Sequence, residues 1–166
     1  MRRADRQIDE TARIDDILGR AMVGHLGLAD AEGVYVVPVS FAHVRTDDAH
    51  VTVYLHGAGQ GRKIFAIRRD PGARICFQAE VWLGVGDKTG DVSGLTQWYE
   101  SVIGFGSARV VTDHAEAERG LRTIVAKYHE PYADQVSPAI VSDVTILALD
   151  LDELTAKANL PSSEIS

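Results

Sequence analysis

Cysteine is almost missing from this chain: Cys76 is the only one in 166 residues. That excludes an internal disulfide and a thiolate metal cage, and makes a reducing cytoplasm the expected setting. Long apolar runs are missing too. None approaches the roughly 18–20 residues a helix needs to cross a bilayer. The opening MRRADRQIDE holds no apolar segment of the kind a secretory signal requires. Positive charge is in deficit, with 17 Lys and Arg against 24 Asp and Glu, for a formal net charge of −7. Such a chain repels nucleic acid and anionic membrane at long range, so neither is an expected partner. The six histidines show no H-x-x-x-H or H-E-x-x-H spacing, which removes the common zinc motifs, and no metal is expected. Walker and G-x-S-x-G patterns are absent as well.

What is present is ordinary globular usage, 45% hydrophobic and 25% charged, in a length that fits one domain over 1–166. Residues 9–22 place Ile14, Ile17, Leu18 and Ala21 at helical spacing, with Asp9 or Thr11 available as a cap. Extended segments follow at 23–30, 34–44 and 51–56, separated by DAEG and RTDDA, and suggest a three-stranded antiparallel meander. Pro38, inside the second, cannot donate a ladder bond, which points to an edge, a bulge or a ligand-facing position. A short helix is expected over 61–70, stopped by Pro71, and strands over 73–83 and 96–111, where Gly104 and Gly106 permit a bend or a close backbone approach. Between these strands, 84–94 carries four glycines and is expected as a mobile loop. Asp113 and Glu116 form a capping-box pattern ahead of a helical stripe ending near 129. A proline-containing connection, 130–142, leads to a last strand over 143–154, with 155–166 as a tail. The fold class is mainly β with α decoration, a six-stranded antiparallel barrel.

One stretch concentrates chemistry. VTVYLHGAGQGRKI (51–64) ends a strand on His56, loosens through Gly57, Gly59 and Gly61, and begins a helix with Arg62 and Lys63. A helix N-terminus offers unpaired amides and a partial positive charge, hence an anion site. Arg62 can grip a phosphate with two parallel bonds, and Lys63 adds a point charge. By itself the tripeptide fits a solvated basic turn better than a phosphate site. His56 suits a hydrogen bond, a proton shuttle, or ligation of a haem. Cys76, between Ile75 and Phe77, reads as a small buried hydrophobe.

In order and spacing, YVVPVSF (35–41), VTVYLHGAGQGRKI (51–64) and YESVIGFGSARVV (99–111) resemble the pyridoxamine 5′-phosphate oxidase-like FMN-binding split-barrel superfamily. The nitroimidazole-resistance branch is the nearest likeness, and MRRADRQI, LGLAD and ELTAKANLP share it. The resemblance implies FMN, with Gly61, Arg62 and Lys63 on its phosphate and Ser101, followed by Val102, reaching the same phosphate. It implies that Val37, Pro38, Val39 and Ser40 lie along the isoalloxazine ring. His56 stands beside the ring or substrate pocket as the one catalytic candidate, a donor to the acceptor. A homodimer with the flavin at the interface follows, as does an oxidoreductase passing hydride from NAD(P)H to a small acceptor such as a nitroaromatic or quinone. Two alternatives stay open: a flavin or haem carrier without turnover, and a reductase using deazaflavin F420. The chain departs from the pattern at Gly57, Gly59 and Gln60, and in the 84–94 stretch.

Overall fold

A computed structural model describes residues 4–47 and 50–161. Its elements are β1 (Gln7–Ile8), α1 (Thr11–Arg20), β2 (Gly24–Asp30), β3 (Gly33–Val39), β4 (Phe41–Arg45), β5 (Val51–Gly57) and α2 (Arg62–Arg69). β6 (Arg74–Asp87), β7 (Leu95–Val110), α3 (His114–His129), α4 (Pro138–Ser142) and β8 (Thr145–Asn159) complete the chain. All strand pairs are antiparallel, in the order β3-β2-β6-β7-β8-β5-β4, with β1 added to β8. The two ends of that path, β3 and β4, are consecutive in sequence and joined through Ser40 alone. The sheet therefore curls until its edges meet covalently, a barrel split at Ser40.

The expected six-stranded barrel is thus present, with 34–44 divided in two and a two-residue strand added. The meander is corrected. β2 and β3 pair, and β4 and β5 pair, but β3 and β4 stand at opposite ends of the sheet path. The run of β-forming residues over 34–44 continues through the break, so it carries no mark of the split. The loop expected over 84–94 is corrected too. Residues 84–87 prolong β6, 92–94 form a 3-10 turn, and the pairing reaches Asp87↔Leu95. The tail expected from 155 is strand through Asn159, and 162–166 lie outside the described residues.

Inward residues of every long strand fill the interior, with Phe41 edge-on to Phe77 at 5.0 Å between centroids. Helices close the two rims. α1 buries Ile17 and Leu18 completely and ties Arg13 and Arg20 to Glu100 of β7 and Asp15 to Arg45 of β4. α2 closes the opposite rim with Ile64 and Ile67. α3 covers the outside of β4, β5 and β8 through Ala117, Leu121 and Ile124, capped as expected by Asp113, whose carboxylate accepts from Glu116 N at 2.7 Å. At Gly106 the backbones of β7 and β8 approach so closely that a Cβ would lie 2.0 Å from the Asp150 carbonyl oxygen, which fits the expectation of a close approach.

Candidate functional site

The segment 51–64 delivers its side chains to the rim that α2 closes. Gly61 caps α2 with φ 118 and no side-chain bond, a conformation glycine adopts without strain. Open space surrounds it: a Cβ there would meet nothing within 4 Å. The first amides of α2 therefore face outward without a side-chain cap.

Arg62 and Lys63, adjacent in sequence, diverge because successive helical residues are turned by about 100°. Lys63 leans over the end of β5, where a Cβ on Gly57 would stand 3.5 Å from its Nζ. It has no carboxylate partner among the described residues. Arg62 turns toward the β2–β3 turn. Its Nε and Nη2 donate to Asp30 at 2.7 and 2.8 Å, Glu32 lies 3.4 Å away, and the guanidinium stacks 4.1 Å over the Tyr35 ring. The Arg62 guanidinium holds the Asp30 carboxyl down at about 2, well below the usual carboxylate range. The two-bond edge expected to grip a phosphate is thus already occupied by a carboxylate. Beside it a hollow of about 440 Å³ is lined by Asp30, Glu32, Arg62, Phe65 and Arg69, two acids facing two bases.

His56 is exposed at the end of β5. The pairing Phe41↔Leu55 brings Ser40 and His56 next to each other at the split. Of the ring-lining expectations, Pro38 and Ser40 are exposed, whereas Val37 and Val39 turn inward. β3 is an edge strand, as Pro38 suggested, and among the described residues its outer main-chain groups have no strand partner. Val102 is fully buried inside the barrel, so its side chain is core and does not face a ligand.

Ser101 is not brought to Lys63. Gly57 pairs with Thr145 and Ser101 with Lys157, at opposite ends of β8, separated by roughly 30–40 Å of strand at the usual rise. Ser101 opens instead into a hollow of about 340 Å³ on the outer sheet face, shared with Gln78, Glu80, Trp82, Tyr99 and Lys157. The sequence reading missed Lys157. Its place opposite Ser101 depends on strand register, which residue spacing does not reveal. Cys76 is half-buried and burial pushes its thiol up, in keeping with a packing role. Among the described residues no cluster could hold a metal ion, and no helix is long and apolar enough to cross a membrane.

The sequence model of the family described as pyridoxamine 5′-phosphate oxidase matches residues 10–158. The chain belongs to this family. Solved structures share the fold across most of this chain. A protein from Bacteroides thetaiotaomicron VPI-5482 described as a 5-nitroimidazole antibiotic resistance protein is 26% identical, with 92% of this chain and 86% of that one covered and a TM-score of 0.73. This agrees with the branch the sequence resembles. The flavocytochrome Anf3 of Azotobacter vinelandii is 20% identical with a TM-score of 0.80, over 97% of this chain and 72% of that one. An FAD and heme binding protein of Mycobacterium smegmatis is 19% identical with a TM-score of 0.78, over 95% and 76%. No curated protein matches the chain.

The residues present fit a phosphate-bearing flavin in part. Lys63, the open α2 amides, His56 and the edge of β3 surround one exposed corner of the barrel. Arg62 reaches the same rim with its charge already balanced.

Proposed function

We propose that this protein binds FMN and acts as a flavin-dependent oxidoreductase, a homodimer with the cofactor at the subunit interface. The observation that carries the reading is Lys63, a cation with no carboxylate partner among the described residues, at an uncapped helix start beside His56 and the split edge. Lys63 and the first amides of α2 neutralise and fix the phosphate. The free main-chain edge of β3 at Pro38 and Ser40 orients a planar ring by hydrogen bonds. Arg62 positions α2 against the β2–β3 turn, so that the amides point outward. His56, exposed at the strand end, is the candidate donor to an electron acceptor. A bound flavin supplies two-electron transfer between a nicotinamide donor and a small acceptor such as a nitroaromatic or quinone.

The dimer reading rests on two features. Ser101 and Lys63 lie too far apart in one chain to share a phosphate, so a second copy must supply one of them if both serve. Val34, Val36, Trp82 and Val85 are exposed at 83, 60, 65 and 64%, apolar surface that a partner would cover.

Extraction and mass determination of the copurifying ligand separates FMN from F420, and the visible spectrum separates either from haem. Lys63→Ala should weaken FMN binding ten- to hundredfold, the scale of a lost charge-assisted bond. Arg62→Ala should cost less. Equal FMN retention by Lys63→Ala and the parent protein would show that the phosphate is held elsewhere.

A further inference from the structure

His25 has played no part so far. It lies on β2 facing outward, half-buried, opposite Pro38 of β3 on one side and Gln78 of β6 on the other. Its Nδ1 is 3.0 Å from Gln78 Oε1, and Gln78 Nε2 donates to Glu80 Oε2 at 3.0 Å. The direction of this short chain is set by its last member. A carboxylate only accepts, so the amide NH₂ of Gln78 must face Glu80 and its carbonyl oxygen must face the imidazole. A carbonyl also only accepts, so Nδ1 carries the hydrogen. In a neutral imidazole the lone pair is then on Nε2.

The two ring nitrogens point in nearly opposite directions. Nδ1 is held on the β6 side by Gln78, so Nε2 is the nitrogen turned outward and away from β6, and the other neighbour of β2 is β3, with Pro38 opposite His25. Among the described residues nothing donates to Nε2. Pro38, directly across, has no N–H to offer. Two polar residues thus fix one tautomer of a histidine whose acceptor lacks a donor among the described residues.

We propose that His25 Nε2 accepts a hydrogen bond from the imide N–H of the isoalloxazine ring, with Gln78 and Glu80 as positioning residues acting through it. This rests on the reading that flavin lies along Pro38–Ser40. The imide is the only ring N–H of an oxidised flavin, so an imidazole locked as an acceptor selects that edge. Lys63 and His25 then hold the two ends of the cofactor, phosphate and pyrimidine, on either side of the split.

Titration of FMN and of an FMN analogue methylated at the imide nitrogen, followed by flavin fluorescence, tests this directly. The parent protein should prefer FMN about tenfold, the scale of one hydrogen bond to a half-buried acceptor. His25→Phe should reduce that preference to twofold or less, and Gln78→Leu should erode it in part. Independently, ¹⁵N spectra of the flavin-free protein should show His25 as the Nδ1–H tautomer, with Nε2 shifting when FMN is added. In Gln78→Leu the two tautomers should mix. Circular dichroism and melting confirm that the variants fold. Should His25→Phe keep the full preference, or the free protein show the Nε2–H tautomer, this inference falls while FMN binding stands. A parent protein that takes up neither flavin overturns the FMN reading, and this inference with it.

Discussion

Each rim of the barrel is closed by a helix fastened through arginine to carboxylate, yet the two fastenings differ in depth. At the α1 rim, Arg13 Nε donates to Glu100 at 2.9 Å and Arg20 grips the same carboxylate, which is only 2% exposed. At the α2 rim, Arg62 meets Asp30 and Glu32 at the surface, with 43% of its side chain in solvent. A carboxylate buried beneath two guanidiniums has one stable arrangement, because losing its partners strands a charge in a poor dielectric. A surface pair exchanges partners at little cost. The first fastening therefore serves stability. The second can give way to a ligand.

The largest effect expected from this contrast is on stability at the buried end. Arg13→Ala with Arg20→Ala strips the buried Glu100 carboxyl of both guanidiniums, which costs about 3–5 kcal/mol and lowers Tm by roughly 10–15 °C. Thermal melting checks it. Phosphate anchoring by Lys63 should not change, since Lys63 lies on the opposite rim. A double variant that melts within a few degrees of the parent would mean that water or a rearranged side chain serves Glu100, and that the two fastenings are alike.

Much of this architecture was readable from residue order, and the reasons for the gaps are physical. Periodicity found α1, α2 and α3, because one-sided burial at 3.6 residues leaves Ile14, Ile17 and Leu18, or Ala117, Leu121 and Ile124, on a stripe. Gly106 was legible because only a missing side chain admits a backbone so near. Ser40 as the split was not legible. The alternation that marks a strand is local, whereas strand pairing is decided by partners far along the chain. The glycines of 84–94 misled for a related reason. Gly86 is a strand residue lying under the Trp98 ring, where a Cβ would stand 2.0 Å from the indole nitrogen. The site was legible as a place on the chain but not as an arrangement of charges. GRK names two cations, yet nothing near it in sequence announces that Asp30, 32 positions earlier, claims one of them. Lys157 and His25 came to notice only through register.

A smaller effect is expected where the surface fastening is loosened. Asp30→Asn removes the charge that holds the forked edge of Arg62. If the guanidinium then turns to the phosphate, FMN affinity should rise about three- to tenfold. Equilibrium titration gives the value. The gain must vanish when Arg62→Ala is added, since it depends on that side chain. An unchanged affinity would make Arg62 as purely structural as Arg13, and the contrast between rims would reduce to one of exposure.

The finest test is the titration of Asp30 itself. Arg62 depresses its carboxyl to about 2, so the pairing is intact above about pH 4, where an unpaired aspartate ionises, and is lost as the pH falls through about 2. Carboxyl ¹³C shifts should place the midpoint near 2 in the free protein and return it toward 4 in Arg62→Ala. Bound FMN turns this into a measure of exchange. A phosphate that takes the fork from Asp30 removes its partner and adds a like charge nearby, and both effects raise the midpoint. An upward shift on adding FMN shows the arginine changing hands. A midpoint fixed near 2 with flavin bound shows that Lys63 and the α2 amides hold the phosphate without it.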